Sequence, residues 1–305
     1  MTKIAVAGLG RMGMQIVQKL AAAGHTTIAQ NRSTDKVDTA VSYGAIGVYH
    51  KEDVVKHFEG EQVILWLMIP ADIVESELNV WLDLIPEGSI IIDGGNTDYS
   101  QTRKHAELVR QRGSVLLDIG TSGGIHGLKD GFCMMVGGDR AGYEQIEPFL
   151  QTLALPNGGY QYFGEPGSGH YVKMVHNAIE YGMMESLAEG YRMLKEGPYE
   201  SLDLGAAGEL WQHGSIVVSG LNKLSTEALQ ENPELTGIDG YVAESGEARW
   251  TLETAKDLGI EMPSIQASFD VRLRSQQGET NFATKLLAAM RNKFGGHAIN
   301  KEAGK

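Results

Sequence analysis

The stretch Lys3-Ile-Ala-Val-Ala-Gly8-Leu9-Gly10-Arg11-Met12-Gly13 decides the fold of this chain. Its first five residues form an apolar, β-type run, and residues 14–23 behind the last glycine have a helix-compatible pattern. The first glycine permits a tight turn, the second lets backbone amides approach a pyrophosphate, and the third lets helix and strand pack closely. A helix N-terminus adds partial positive charge. The alternative is a purely structural glycine turn, but the position favours a dinucleotide-binding loop formed by Gly8, Leu9, Gly10, Arg11, Met12 and Gly13.

Beyond this loop, strand and helix patterns alternate along the chain. Helical segments lie between most of the further strand candidates, and this alternation indicates a largely parallel, helix-covered sheet. From Gly167 onward the strand signals nearly vanish, and residues 171–195 and 247–258 have helical spacing. The sequence therefore predicts an α/β protein, with a Rossmann-type, doubly wound domain over residues 1–164 and an all-α domain over residues 165–305. The further strand candidates are residues 26–30, 62–67, 89–93, 115–119, 133–136 and 159–163.

Composition excludes several classes of protein. The net charge of −13 disfavours nucleic acid and anionic membranes as partners. No apolar run approaches the roughly 18 residues of a membrane span, so we expect a cytoplasmic protein. The single cysteine, Cys133, cannot form an intramolecular disulfide, and we expect it to be a buried small hydrophobe. The histidines do not cluster with ligand-type spacing, so we expect no metal site.

The end of the second strand candidate indicates which cofactor the loop binds. An NAD-specific fold usually places Asp or Glu there, on the ribose 2′-hydroxyl. This chain has Asn31-Arg32-Ser33 instead. A guanidinium and a hydroxyl suit a 2′-phosphate better, so we expect NADP. NAD is the alternative, with Arg32 then a solvated surface charge.

A second motif lies at the start of the helical half. Lys173, His176, Asn177 and Glu180 are spaced i, i+3, i+4 and i+7, which places them on one helix face. Such a stripe could be a solvated helix side. The apolar residues around it instead predict a helix buried on its other side, with the polar stripe directed to a cleft between the domains. These apolar residues are Val172, Met174, Val175, Ala178 and Ile179.

The stripe contains the groups that an oxidative decarboxylation needs. A lysine desolvated in a closed pocket can act as the base for a hydroxyl whose carbon loses hydride. The same lysine, once protonated, can polarise the carbonyl of a β-keto acid while carbon dioxide leaves. Glu180, two turns further along, could then protonate the resulting enol at carbon. This hypothesis makes Lys173 and Glu180 the catalytic pair.

Over essentially the whole chain these residues resemble the 6-phosphogluconate dehydrogenases, in the short form with a single helical domain. The resemblance implies oxidative decarboxylation of 6-phosphogluconate to ribulose 5-phosphate in the pentose phosphate pathway, with reduction of NAD(P). Lys173 is then the base and later the acid, Glu180 protonates the enol, and Asn96 contacts both nicotinamide and substrate. The implied substrate-binding residues are Asn96, Ser122, Gly123, Gly124, His176, Asn177, Tyr181, Arg249, Thr251, Arg272, Arg291 and His297.

One substrate residue differs from the long form, and one further segment implies an oligomer. Arg249 stands where long forms have lysine, which keeps the charge and changes the hydrogen-bond geometry. The tail segment with Arg291 and His297 is similar to one that reaches the substrate of a neighbouring subunit, which implies a homodimer or homotetramer. The alternative for this tail is a disordered basic end. Short forms often prefer NAD, which conflicts with our interpretation of Arg32.

Two other functions share some of these features. A β-hydroxyacid dehydrogenase of the 3-hydroxyisobutyrate type has the first loop, a Ser-Gly-Gly turn and a helix lysine with Asn four residues on. His176, the triplet Glu180-Tyr181-Gly182 and the basic tail favour the decarboxylating enzyme. A nonenzymatic dinucleotide sensor with this fold would be expected to lose its base, whereas Lys173 is present.

Overall fold

An eight-stranded sheet organises the first part of the chain. The computed structural model describes residues 2–300. The strands are β1 (Lys3–Ala7), β2 (Thr26–Gln30), β3 (Ile46–Val48), β4 (Ile64–Leu67), β5 (Ile90–Asp93), β6 (Val115–Ser122), β7 (Cys133–Gly138) and β8 (Gly159–Gly164). They lie in the order β3-β2-β1-β4-β5-β6-β7-β8. All neighbouring strands are parallel except β6 and β7, which are antiparallel.

Helices connect these strands and make up the regular structure that follows them. Those of the first part are α1 (Arg11–Ala22), α2 (Thr34–Ser42), α3 (Lys51–Val54), α4 (Val74–Leu84), α5 (Tyr99–Gln111), α6 (Gly127–Asp130) and α7 (Arg140–Ala154). The later ones are α8 (Ser168–Glu196), α9 (Leu204–Trp211), α10 (Gly220–Glu231), α11 (Glu247–Leu258), α12 (Pro263–Gln276) and α13 (Phe282–Gly295). Among residues 2–300, no helix is both long and apolar enough to cross a membrane.

The apolar runs of the strands are explained by burial of both faces of the sheet. In β1, Ile4 and Val6 belong to one hydrophobic cluster, and Ala5 and Ala7 belong to another. Since successive side chains of a strand point to opposite faces, each cluster covers one face. A parallel sheet covered on both sides needs continuous apolar strands rather than alternating ones. The predicted fold class, a mostly parallel α/β domain followed by a helical one, is confirmed.

The sequence prediction missed one strand, β3. It has only three residues, Ile46-Gly47-Val48, and pairs with β2 at the edge of the sheet. Gly47 weakens any strand pattern. A Cβ at this glycine would lie 2.5 Å from Cγ2 of Val41, so the close packing of α2 requires a residue without a side chain.

The chain forms two compact units, one ending at Lys173 and the other beginning at Met174. The first turns of α8 therefore belong to the first unit and the rest to the second. The second unit has its own apolar core, in which Leu229, Leu286 and Leu287 are buried. Between residues 174 and 300 the structure has no strand. The domain boundary after residue 164 stays a prediction, since the boundary between the two compact units lies inside α8.

The buried side of α8 differs from the one that the sequence predicted. Met174 and Ala178 are buried as expected, but Ile179 is 51% exposed. The buried positions continue through Tyr181, Met184 and Ala188, spaced three or four residues apart. Ile179 lies outside that stripe, so its apolar character alone predicted its burial wrongly.

Cys133 is also not where the sequence placed it. We expected a buried small hydrophobe, but this residue, the first of β7, is exposed. Its neighbours in the sheet are Ser122 on one side and Gly159 on the other. Glycine has no side chain to cover the thiol, which explains the exposure at the end of an otherwise buried strand.

Candidate active site

The glycine loop between β1 and α1 is shaped to receive a phosphate group. A Cβ at Gly13 would lie 2.0 Å from the carbonyl oxygen of Gly8, and one at Gly8 would lie 2.4 Å from that of Met68. Apart from Gly10 itself and its two neighbours in the chain, no described atom lies within 4 Å of the corresponding position at Gly10. No described side chain caps the N-terminus of α1 either. An uncapped helix start beside an open glycine fits the pyrophosphate of a dinucleotide.

The end of β2 supports this loop. Oδ1 of Asn31 accepts a hydrogen bond from the backbone N–H of Leu9 at 2.9 Å, and the Leu9 side chain is buried. In this geometry Asn31 holds the loop in place, and Leu9 contributes packing and that one N–H. Arg32 and Ser33 are exposed at the surface beyond β2. Their contact with a cofactor stays a prediction.

A buried aspartate at the end of β5 shapes the segment around Asn96. Asp93 is fully buried, and its carboxylate accepts hydrogen bonds from the N–H of Gly95 at 3.0 Å and the hydroxyl of Thr97 at 2.8 Å. Asn96, between these two anchored residues, is exposed. At the end of β6, Gly123 and Gly124 have φ of 122° and 51°, values that favour glycine. These two loops hold the predicted substrate residues of the first unit.

The start of α8 is fixed to the sheet by Asp118 of β6. This fully buried carboxylate accepts hydrogen bonds from the N–H groups of Gly167 and His170, both at 2.8 Å. A negative charge at a helix N-terminus is favourable, and these bonds satisfy donors that a helix start leaves open. The spacing is tight, since a Cβ at Gly120 would lie 2.3 Å from Cβ of Lys173. Lys173 is thereby held directly against β6, with its side chain partly buried.

In the second unit, two buried arginines lie near Tyr181. The guanidinium carbon of Arg272 lies 3.2 Å from the centre of the Tyr181 ring, and the residue is 2% exposed. Its described hydrogen bonds are long, 3.5 Å to the carbonyl of Ala243 and 3.6 Å to the sulfur of Met184. Burial lowers the pKa of Arg272 to about 10, so the group stays charged at neutral pH. Arg291 is 6% exposed, and burial lowers its pKa while Tyr181 opposes the shift.

Around these arginines, α8 and α11 place further polar groups. Nδ2 of Asn177 donates to Oε1 of Glu247 at 2.6 Å, and Nδ1 of His176 lies 2.9 Å from Oδ1 of Asn177. The hydroxyl of Thr251 donates to the backbone carbonyl of Glu247 at 2.8 Å. The charge of Glu180 acts on both arginines, raising their pKa against burial. The second unit thus brings together most of its predicted residues.

Two predicted residues have other contacts in this chain. Arg249 is about half exposed and forms an ion pair with Glu244. His297 packs edge-on against Phe294, with ring centres 6.1 Å apart. Their contact with substrate, in this chain or in a neighbouring one, stays a prediction.

Three buried carboxylates, Asp118, Glu185 and Glu247, were not predicted from the sequence. Burial raises the pKa of Glu185 to about 7, and the nearby Arg272 opposes this. A charged residue inside an apolar strand, as Asp118 is, rarely occurs without a partner and was a usable signal. Glu247 had a weaker one, its place two residues before Arg249. In the described part of the chain, no three His, Cys, Asp or Glu side chains gather as a metal-binding group.

Comparison with known proteins covers both units. Residues 3–163 match the NAD-binding domain of 6-phosphogluconate dehydrogenase, and residues 169–303 match its C-terminal domain. A Bacillus subtilis protein provisionally named as such an enzyme is 38% identical over 98% of this chain and 100% of its own length. A Haloferax volcanii enzyme, named NAD+-dependent and decarboxylating, is 34% identical over 98% of this chain and 99% of its own. The solved Plasmodium falciparum 6-phosphogluconate dehydrogenase aligns with a TM-score of 0.84 and 27% identity, over 91% of this chain and 62% of its own.

Proposed function

Because the chain belongs to the 6-phosphogluconate dehydrogenase family, we propose that it oxidises and decarboxylates 6-phosphogluconate to ribulose 5-phosphate and carbon dioxide, with reduction of NAD(P). The observation that carries this proposal is the pair of buried arginines, Arg272 and Arg291, near Tyr181. Two buried like charges repel each other, and the carboxylates that act on them, Glu180, Glu185 and Glu247, form no ion pair with either arginine among the described residues. Guanidinium groups bind a phosphate through several charge-assisted hydrogen bonds. A small unphosphorylated hydroxy acid lacks the phosphate that would pair with both arginines.

The proton transfers are assigned to two residues of α8. Lys173 takes the proton of the substrate hydroxyl, and in its protonated form it then donates to the carbonyl oxygen while carbon dioxide leaves. Glu180, which must be in its protonated form for this step, then donates a proton to the enol carbon, while Lys173 takes the proton of the enol hydroxyl, so that the ketone forms. A bound nicotinamide supplies the acceptor for the hydride. Gly8, Gly10, Gly13 and the start of α1 would hold its pyrophosphate.

We propose NADP as the preferred cofactor. Arg32 follows β2 at the place where the ribose of a bound dinucleotide is expected, and no carboxylate stands there to hold a 2′-hydroxyl. The Plasmodium falciparum structure includes a complex with NADP+, while the Haloferax volcanii relative is named NAD+-dependent. The two names differ, so the proposal rests on Arg32.

We also propose a homodimer or homotetramer. The family resemblance of the tail around Arg291 and His297 supports it. Arg291 lies near Tyr181 of the same chain. This favours a site in which Arg291 comes from the same chain and His297 comes from the neighbouring subunit. Sedimentation of the purified protein would test the oligomer.

The function is tested by absorbance at 340 nm with 6-phosphogluconate and either NADP or NAD, while released carbon dioxide is trapped. We expect reduced cofactor and carbon dioxide in a one-to-one ratio. Parallel assays use gluconate, which lacks the phosphate, and 3-hydroxyisobutyrate. Turnover of 3-hydroxyisobutyrate without carbon dioxide release would replace this proposal with the β-hydroxyacid dehydrogenase.

Arg32→Ala should raise the Michaelis constant for NADP about 10- to 100-fold, because a charge-assisted contact to the 2′-phosphate is lost. The constant for NAD should change little. Arg110→Ala, at an exposed arginine of α5 that pairs with Glu107, is the matched control and should change neither. Equal effects of Arg32→Ala on both cofactors would remove Arg32 from the specificity argument.

A further inference from the structure

Glu247 is a buried carboxylate for which the proposed reaction has no role. It is the first residue of α11 and is 5% exposed. Oε1 accepts the hydrogen bond from Nδ2 of Asn177 at 2.6 Å. Oε2 is buried and has no hydrogen-bond partner among the described residues. A carboxylate kept in this state, beside two residues predicted to bind substrate, calls for a reason.

The carboxylate of Glu247 lies near a group of opposite charge, the guanidinium of Arg291. Glu247 acts on Arg291, where it raises the pKa of the guanidinium against the effect of burial. The atom of Asn177 that faces Glu247 is the NH2 group, whose Nδ2 donates to Oε1 at 2.6 Å. A carboxylate oxygen that accepts this bond holds the amide in that orientation.

This orientation decides which nitrogen of His176 is protonated. With NH2 of Asn177 directed to Glu247, the amide oxygen is the atom that lies 2.9 Å from Nδ1 of His176. An amide oxygen can only accept, so Nδ1 must be the nitrogen that bears hydrogen. In the neutral ring, Nε2 then has a free lone pair.

We infer that Glu247 is a positioning residue that fixes the amide of Asn177 and, through it, the Nδ1–H tautomer of His176. The neutral ring then offers Nε2 as a hydrogen-bond acceptor, suited to a hydroxyl of a polyhydroxylated acid. This last step rests on the proposed function, whereas the tautomer follows from the three side chains alone. Hydrogen bonds that fix the tautomer of a functional imidazole recur around active sites.

The tautomer is measured directly, without substrate. Protein labelled with 15N-histidine gives ring correlation spectra in which the Nδ1–H and Nε2–H forms differ, and the His176→Asn variant identifies the signals of His176. For the neutral ring we expect the Nδ1–H pattern in the wild type. Glu247→Ala should convert it to a mixture or to the Nε2–H pattern. Glu247→Leu should have the same effect. Because leucine keeps most of the side-chain volume, this variant controls for any local rearrangement that the smaller alanine causes.

Kinetics provide the second readout. Both variants should lower kcat/KM for 6-phosphogluconate about 10- to 100-fold, as loss of such outer partners does. The Michaelis constant for the nicotinamide cofactor should stay the same, since its loop belongs to the other unit. Glu253→Ala, an exposed position on the same helix, is the control and should change neither spectrum nor rate.

The outcomes separate the two proposals. An unchanged Nδ1–H pattern in folded Glu247→Ala and Glu247→Leu overturns the positioning role, whatever the activity. A wild-type protein that shows the Nδ1–H pattern but does not turn over 6-phosphogluconate keeps the positioning role and overturns the proposed function.

Discussion

Lys173→Met should reduce kcat/KM for 6-phosphogluconate by at least about 10³-fold, since general base catalysis by a positioned side chain contributes up to about 10⁴-fold. Methionine keeps the length and the Cβ contact against Gly120, so the start of α8 should stay in place. It cannot take the hydroxyl proton. Affinity for NADP should be nearly unchanged, because the glycine loop is separate from this helix.

Single-turnover formation of reduced cofactor measures the loss, and titration calorimetry measures cofactor binding. Lys195→Met is the matched control, since Lys195 lies in the last turn of the same helix and pairs with Glu234. It should leave both quantities as they are. Turnover retained in Lys173→Met would contradict the assignment of the base.

Asp118→Asn should lower the free energy of unfolding by about 3 to 5 kcal/mol, the cost of breaking a buried charged group's hydrogen bonds. Both carboxylate oxygens of Asp118 accept from backbone N–H groups of the α8 start. An amide has one oxygen, so its NH2 group must face one of these donors. The negative charge that favours the helix start is lost as well.

Urea unfolding followed by circular dichroism measures this change. Asp139→Asn is the control, because exposed Asp139 caps α7 through a similar hydrogen bond to Gly142 at 2.8 Å. Asparagine is also a good N-cap, so this variant should change stability by only a few tenths of a kcal/mol. A similar decrease in the free energy of unfolding for both variants would show that the burial of Asp118 does not account for its contribution to stability.

Local patterns predicted most of the fold. The glycine loop, the apolar runs and the 3.6-residue spacing each depend on neighbours in sequence, so the strands, α8 and α11 were found where expected. Edge strand β3 was missed because three residues with a central glycine make no pattern. Cys133 and Ile179 were predicted as buried from their chemistry alone, and exposure depends on the neighbours that the fold provides.

The residues of the candidate site were also only partly predictable from local patterns. Lys173, His176, Asn177 and Glu180 were found from spacing on one helix. Glu247 bonds to Asn177 across 70 residues of sequence, and Asp118 bonds to Gly167 across 49. No local pattern encodes such pairs. The residues proposed to act on substrate were thus predictable from local spacing, while the residues that form hydrogen bonds to them or to their helix required the structure.

The strand order has a consequence for synthesis of the chain. Gly8 packs against Met68, which follows β4, and β1 pairs with β4 as well as with β2. At about 5 to 20 residues per second, translation delivers Met68 several seconds after Gly8. Until then one edge of β1 has no partner strand, and the glycine loop lacks the backbone of Met68 against which Gly8 packs. We therefore expect the nascent chain to bind a cofactor only after β4 has left the ribosome, and we expect β1 to be most open to mispairing in this interval.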